Sequence, residues 1–86
     1  MPKISEFFGI SIYMYYREHG PPHFHARYGG EEALVAIRRI SVLEGELSPR
    51  VQGLVAEWAS RHQDELLRNW RRARAHEQLH EIEPLK

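Results

Sequence analysis

The chain has 86 residues, 42% of them hydrophobic and 10% aromatic. That supports one domain with a thin core and is too little for a sheet sandwiched between two layers of helix. Twelve basic side chains balance twelve acidic ones, so no global field attracts nucleic acid or a membrane, and such binding would need a local patch. The absence of cysteine excludes disulfides and thiolate chemistry. No run approaches the ~20 apolar residues of a membrane span, and the opening MPKISEFFG lacks the apolar stretch of a secretion signal. The expectation is a cytoplasmic protein with no membrane partner.

The predicted organisation is a single domain, 1–86, with a β-rich half (1–47), a helix (48–76) and a tail (77–86). KISEFF (3–8) and ISIYMYY (10–16) are rich in β-branched and aromatic residues. Gly9 alone is too short for an ordinary hairpin, so it predicts a bulge or bend in one long strand. REHGPP (17–22) is turn chemistry, because two prolines cannot continue a strand ladder. HFHARY (23–28) and EALVAIRR (32–39) flank Gly29-Gly30, a two-residue hairpin signal. The register follows: Tyr28 faces Glu31, Arg27 faces Glu32, His25 faces Leu34 and His23 faces Ala36. Phe24, Ala26, Tyr28, Ala33, Val35 and Ile37 then share the core face. His23 and His25 point away from it, side by side and half-exposed.

ISVLEGEL (40–47) predicts a short strand or connection that turns at Gly45. Ser48 and Pro49 then open a helix as N-cap and first helical residue. Apolar residues recur at Val51, Leu54, Val55, Trp58, Ala59, Leu66 and Trp70, one stripe at helical spacing. It predicts a helix over about 49–75, roughly 40 Å long if unbroken, with room for a kink near Ser60–His62. In the tail, Leu79 and Ile82 are candidate anchors of a last short strand. The predicted fold class is α+β: a small antiparallel sheet of three to four strands packed against one long C-terminal helix.

Three of the six histidines, His19, His23 and His25, fall within HGPPHFH. Residues i and i+2 of a strand project to the same face, about 7 Å apart along it. That spacing lets His23 and His25 converge on a divalent metal such as zinc, with His19 as a third ligand. It equally suits a general base paired with a general acid, with Arg27 holding a phosphate or carboxylate before them. It also fits plain strand histidines beside a stiff turn. Glu18 and Glu32 are the nearest carboxylates. Arg27 and Glu32 read most simply as a cross-strand ion pair. Arg68, Arg71, Arg72 and Arg74 complement the dipole at the helix C-terminus, and with Arg17 they are candidate contacts to RNA or an acidic protein. Trp58 and Trp70 are expected in the core or at an interface.

MPKISEFFGI, PPHFHARYGGEEA, EWASRHQDELLRNW and IEPL together resemble a bacterial family catalogued as domain of unknown function 4160. The resemblance spans nearly the whole chain. Gly20 stands where the family usually has Asn before the two prolines, so no role specific to Asn is expected there. The resemblance implies a small stand-alone prokaryotic protein from a toxin–antitoxin-like gene pair. It marks His23 and His25 as the site, with Pro21 and Pro22 shaping the turn.

Three functions follow as expectations. The first is a binding module for a second small protein, with homo-oligomerisation as a further use of the same surfaces. The alternative is a toxin-like RNA-acting protein that uses His23 and His25 as acid and base, with Arg27 and Arg17 stabilising the phosphorane. The second alternative is a metal-binding protein.

Overall fold

The computed structural model describes residues 2–86; Met1, the first residue of the predicted domain, lies outside them. Strands β1 (Lys3–Phe7), β2 (Ile10–Tyr13), β3 (His23–Tyr28), β4 (Glu31–Ala36) and β5 (Val42–Glu46) lie side by side in chain order. Every neighbouring pair is antiparallel. Two helices follow, α1 (Pro49–Arg61) and α2 (Gln63–Arg74). The α+β class stands, but with five strands and two helices rather than three to four strands and one long helix.

The extra strands have local causes. Phe8 and Gly9 have φ of 51° and 79°, so together they form a two-residue turn and split the first predicted strand into a hairpin. Phe8 accepts a left-handed conformation that sequence reasoning would deny it, and its ring is left exposed. β5 survives the turn expected at Gly45 because a glycine can hold φ 81° within the strand. A Cβ there would clash with the Glu32 carbonyl.

β3 and β4 pair in the predicted register, from Tyr28 against Glu31 to His23 against Ala36. Phe24, Ala26, Ala33, Val35 and Ile37 are buried as expected. β2 ends at Tyr13, three residues before its predicted end. Its last pair with β3 is Tyr13 against His25, and the Met14 N–H donates to the Pro2 carbonyl on the β1 side.

Trp58 of α1 is fully buried, with ring centroids 5.3 Å from Phe7 and 5.7 Å from Phe24. A straight helix of roughly 40 Å would overshoot a molecule whose longest extent is 33 Å. The chain breaks at His62, with φ −126° and ψ 26°. The Gln63 side-chain amide donates to the Ile37 and Arg38 carbonyls at 2.7 and 3.0 Å and ties the break to the end of β4. Leu66 and Trp70 therefore stay on the core. Ser48 holds the N-cap position ahead of Pro49, but its side chain makes no capping bond.

The tail forms no strand, though Ile82 and Leu85 are buried. Two helix side chains secure it. Asn69, fully buried, donates to the His80 carbonyl at 2.8 Å and accepts from the His80 N–H at 3.0 Å. The Trp58 indole N–H donates to the Glu83 carbonyl at 2.8 Å. Asn69→Ala leaves both His80 backbone groups unpartnered, at a cost of about 1–3 kcal/mol. Urea unfolding should show that loss, and hydrogen exchange should show earlier opening of residues 80–85.

Candidate metal centre

The connection between β2 and β3 runs over residues 14–22, far longer than a hairpin needs. It doubles back over the face of β3 that carries the two histidines. Pro21-Pro22 stiffens its end, and the Ile37 N–H donates to the Pro22 carbonyl at 2.9 Å. The return brings Glu18 against both imidazoles. Glu18 Oε1 lies 3.2 Å from His23 Nε2 and 2.9 Å from His25 Nε2, and Oε2 lies 3.0 Å from His25 Nε2. One potential ligand atom from each of the three residues falls within 4.8 Å of the others.

The histidines are not half-exposed as expected. His23 is 4% accessible and His25 9%. The covering side chains come from outside the motif. Trp70 of α2 packs on His23 at 5.1 Å, and the edge of Tyr15 packs on His25 at 4.6 Å. Burial also pushes the Tyr15 phenol up from its ordinary pKa, against a smaller opposite effect of Arg27, so it stays a neutral hydroxyl beside His25.

The hydrogen bonds assign the protons. His23 Nδ1 lies 2.9 Å from the Pro21 carbonyl, which can only accept, so Nδ1 carries the hydrogen. In a neutral ring Nε2 is then a bare lone pair. It is buried, has no hydrogen-bond donor, and faces a carboxylate oxygen that is also an acceptor. Two acceptors in contact need a proton or a cation between them. His25 differs: its Nε2 lies within hydrogen-bond distance of both Glu18 oxygens, so in the metal-free chain Nε2 donates there, while buried Nδ1 makes no hydrogen bond and lies 3.6 Å from Glu32 Oε2. Both rings turn Nε2 toward one shared point. His23 is also held as metal-bound histidines are, by an outer oxygen that fixes tautomer and orientation.

Of the three histidines predicted as ligands, the structure brings together His23 and His25. His19 is exposed and lines a neighbouring pocket, and Glu18 takes the third corner. Arg27 makes the expected cross-strand pair with Glu32, at 3.4 Å, and lies 5.3 Å from the Tyr13 ring. Trp58 and Trp70 are in the core.

The arginines divide. Arg17 and Arg74 line an open pocket of about 370 Å³ with Tyr16, Glu18, His19 and His76. Arg68 and Arg72 border a separate groove beside His80 and Glu81, and the Arg72 guanidinium is spent on Asn69 Oδ1 at 2.9 Å. Arg71 is exposed and lines neither.

Residues 9–71, well over half of the chain, match the family described as domain of unknown function (DUF4160). The chain belongs to that family. The match takes in Glu18, His23, His25, Glu32, Asn69 and Trp70, and stops short of Arg74 and His76. No curated protein and no solved structure matches.

In the sequence His76 stands out only as the i, i+4 partner of His80, a shared metal pair if the tail were helical; the helix ends before it. His76 follows α2 with φ 58°, where Gly or Asn is usual. The His76 N–H bonds to the Ala73 carbonyl at 3.1 Å and the Glu77 N–H to the Arg72 carbonyl at 2.8 Å, the two bonds of a Schellman cap. A non-glycine there costs about 1 kcal/mol. What the ring gains is a near-parallel stack on Tyr16, 7° between planes and 6.5 Å between centroids. His76→Gly should relieve the backbone, and calorimetry should find the melting temperature unchanged or higher.

Proposed function

We propose that this protein binds one divalent transition-metal ion, with zinc the best fit, through Glu18, His23 and His25. The observation that carries this is the buried His23 Nε2 lone pair, fixed by the Pro21 carbonyl and aimed at a carboxylate. Two imidazoles and a carboxylate are borderline-hard ligands suited to zinc, at roughly 2.0–2.2 Å from the ion. Three protein ligands leave a tetrahedral ion one position for water, the arrangement of hydrolytic rather than structural sites. The Pro21 carbonyl supplies the outer oxygen that orients His23, and Glu32 Oε2 stands 3.6 Å from His25 Nδ1. Burial of both histidines favours this over an open acid–base pair acting on RNA.

Zinc titrated calorimetrically into chelator-treated protein should bind one equivalent and raise the melting temperature, by about 2.7 kcal/mol of stability at a hundredfold excess over Kd. His23→Ala/His25→Ala should abolish binding, and Glu18→Gln should weaken it severely. Glu32→Gln should weaken it less than Glu18→Gln, since Glu32 Oε2 stands 3.6 Å from His25 Nδ1, beyond hydrogen-bond reach. Binding by the double alanine variant as tight as by the native chain would sink the assignment.

A second reading, a binding module for another small protein, is supported by the exposed large apolar residues. Phe8 (55% accessible) lies in the turn after β1, whose edge the tail covers at Ile4, and Leu43 (44%) lies on the open edge strand β5. An open edge bearing an apolar side chain invites strand addition. Co-expression with the product of an adjoining gene tests it. Leu43→Asp should lose the co-purifying partner, and no complex with either form would remove the reading.

A further inference from the structure

The pocket beside the metal centre is lined by Tyr16, Arg17, Glu18, His19, Arg74 and His76. We infer that it is a phosphate subsite, and that the molecule carried to the metal is a small phosphorylated compound. As a statement of substrate class this rests on the metal reading; as a statement of binding it does not.

Four of the six lining residues are cationic or can become so. The carboxylate among them has both oxygens turned to His25. Among the described residues, neither Arg17 nor Arg74 has an acidic side chain within ion-pair distance, whereas Arg27 and Arg61 do. Two unpaired guanidiniums at one pocket are a ready match for a phosphate, which each can hold by charge-assisted bonds. His76 adds the second sign. Its backbone is held where glycine would be at ease, and what it puts there is a ring against Tyr16 at the pocket wall. Strain retained at a pocket is a mark of function. Glu18 belongs to both places, so a ligand in the pocket would sit next to the ion. Two arginines and a formal net charge of zero supply charge for one phosphate group, not for a tracked nucleic-acid backbone.

The test uses the metal-free protein, followed by amide NMR, with inorganic phosphate, a nucleoside 5′-monophosphate and a single-stranded RNA of about ten nucleotides as probes. Phosphate and the monophosphate should shift amides of residues 16–19 and 74–77. Arg17→Ala and Arg74→Ala should each weaken binding by roughly tenfold or more, while exposed Arg50→Ala should not. His76→Gly should weaken the monophosphate while melting no lower than the native chain. His23→Ala/His25→Ala should lose zinc yet keep phosphate, which separates failure of the metal reading from failure of this one. If that variant does not fold, the metal-free native protein makes the same separation. No phosphate binding at about ten millimolar, or binding indifferent to Arg17 and Arg74, overturns the subsite. RNA binding more than tenfold tighter than the monophosphate, with a salt slope beyond about −2, means three or more phosphate contacts and overturns the small-molecule assignment.

Discussion

Glu18 faces two buried imidazoles, and much of the rest of the molecule is arranged to keep it there. A carboxylate and two histidines out of water are costly unless each polar atom has a partner. The Pro21 carbonyl partners His23 Nδ1 and Glu18 partners His25 Nε2, while His23 Nε2 and His25 Nδ1 make no hydrogen bond, and Trp70 covers one ring and Tyr15 the other. The cluster is therefore a tertiary product. Neither strand β3 nor the loop alone would make it.

Trp70 explains why the helical region is broken. It must remain in the core and also reach His23, and a straight rod continuing α1 would carry it away from the sheet. The bend at His62, pinned by Gln63 to the end of β4, keeps it in place. One position upstream, Asn69 fastens the tail at His80, and Trp58 fastens it again at Glu83. The Ile82 N–H then donates to the Ile4 carbonyl at 2.8 Å, which places the tail beside edge strand β1. A thin core of the kind expected for this length is thus closed by side-chain to backbone bonds as well as apolar area.

What was legible in the sequence was the part governed by local rules. Gly29-Gly30 and two-residue alternation predict the β3–β4 register residue by residue, because slipping by one would turn the core face outward. The apolar stripe predicts most of the buried helical residues, but not Asn69 or Ala73, and Leu54 on it is only half-buried. What was not legible depends on conformations that a residue type disfavours, or on long-range closure. Phe8 in a left-handed turn and His76 in a helix cap both break propensity, so the first hairpin and one pocket wall went unseen. The pair His23 and His25 was visible as spacing. Their burial was not, since Trp70 and Tyr15 arrive from elsewhere. Glu18 was visible as the nearest carboxylate but not as the third corner. The available signal was the length of the 14–22 connection, which is too long to be only a turn and ends in two prolines.

The metal centre and the pocket share one residue, and that sharing gives the arrangement its direction. Glu18 turns its oxygens inward to the imidazoles while its stem borders a wall lined with Arg17, Arg74 and His76. An ion held by Glu18 would stand beside the arginines without being paired to them. An anion drawn in by those arginines would lie beside Glu18, with the buried histidine side of the cluster behind it. The family match covers Glu18, His23 and His25 together with Tyr16, Arg17 and His19 of the pocket, and ends before Arg74 and His76. The loop before β3 thus serves both places, and the end of α2 completes the pocket wall.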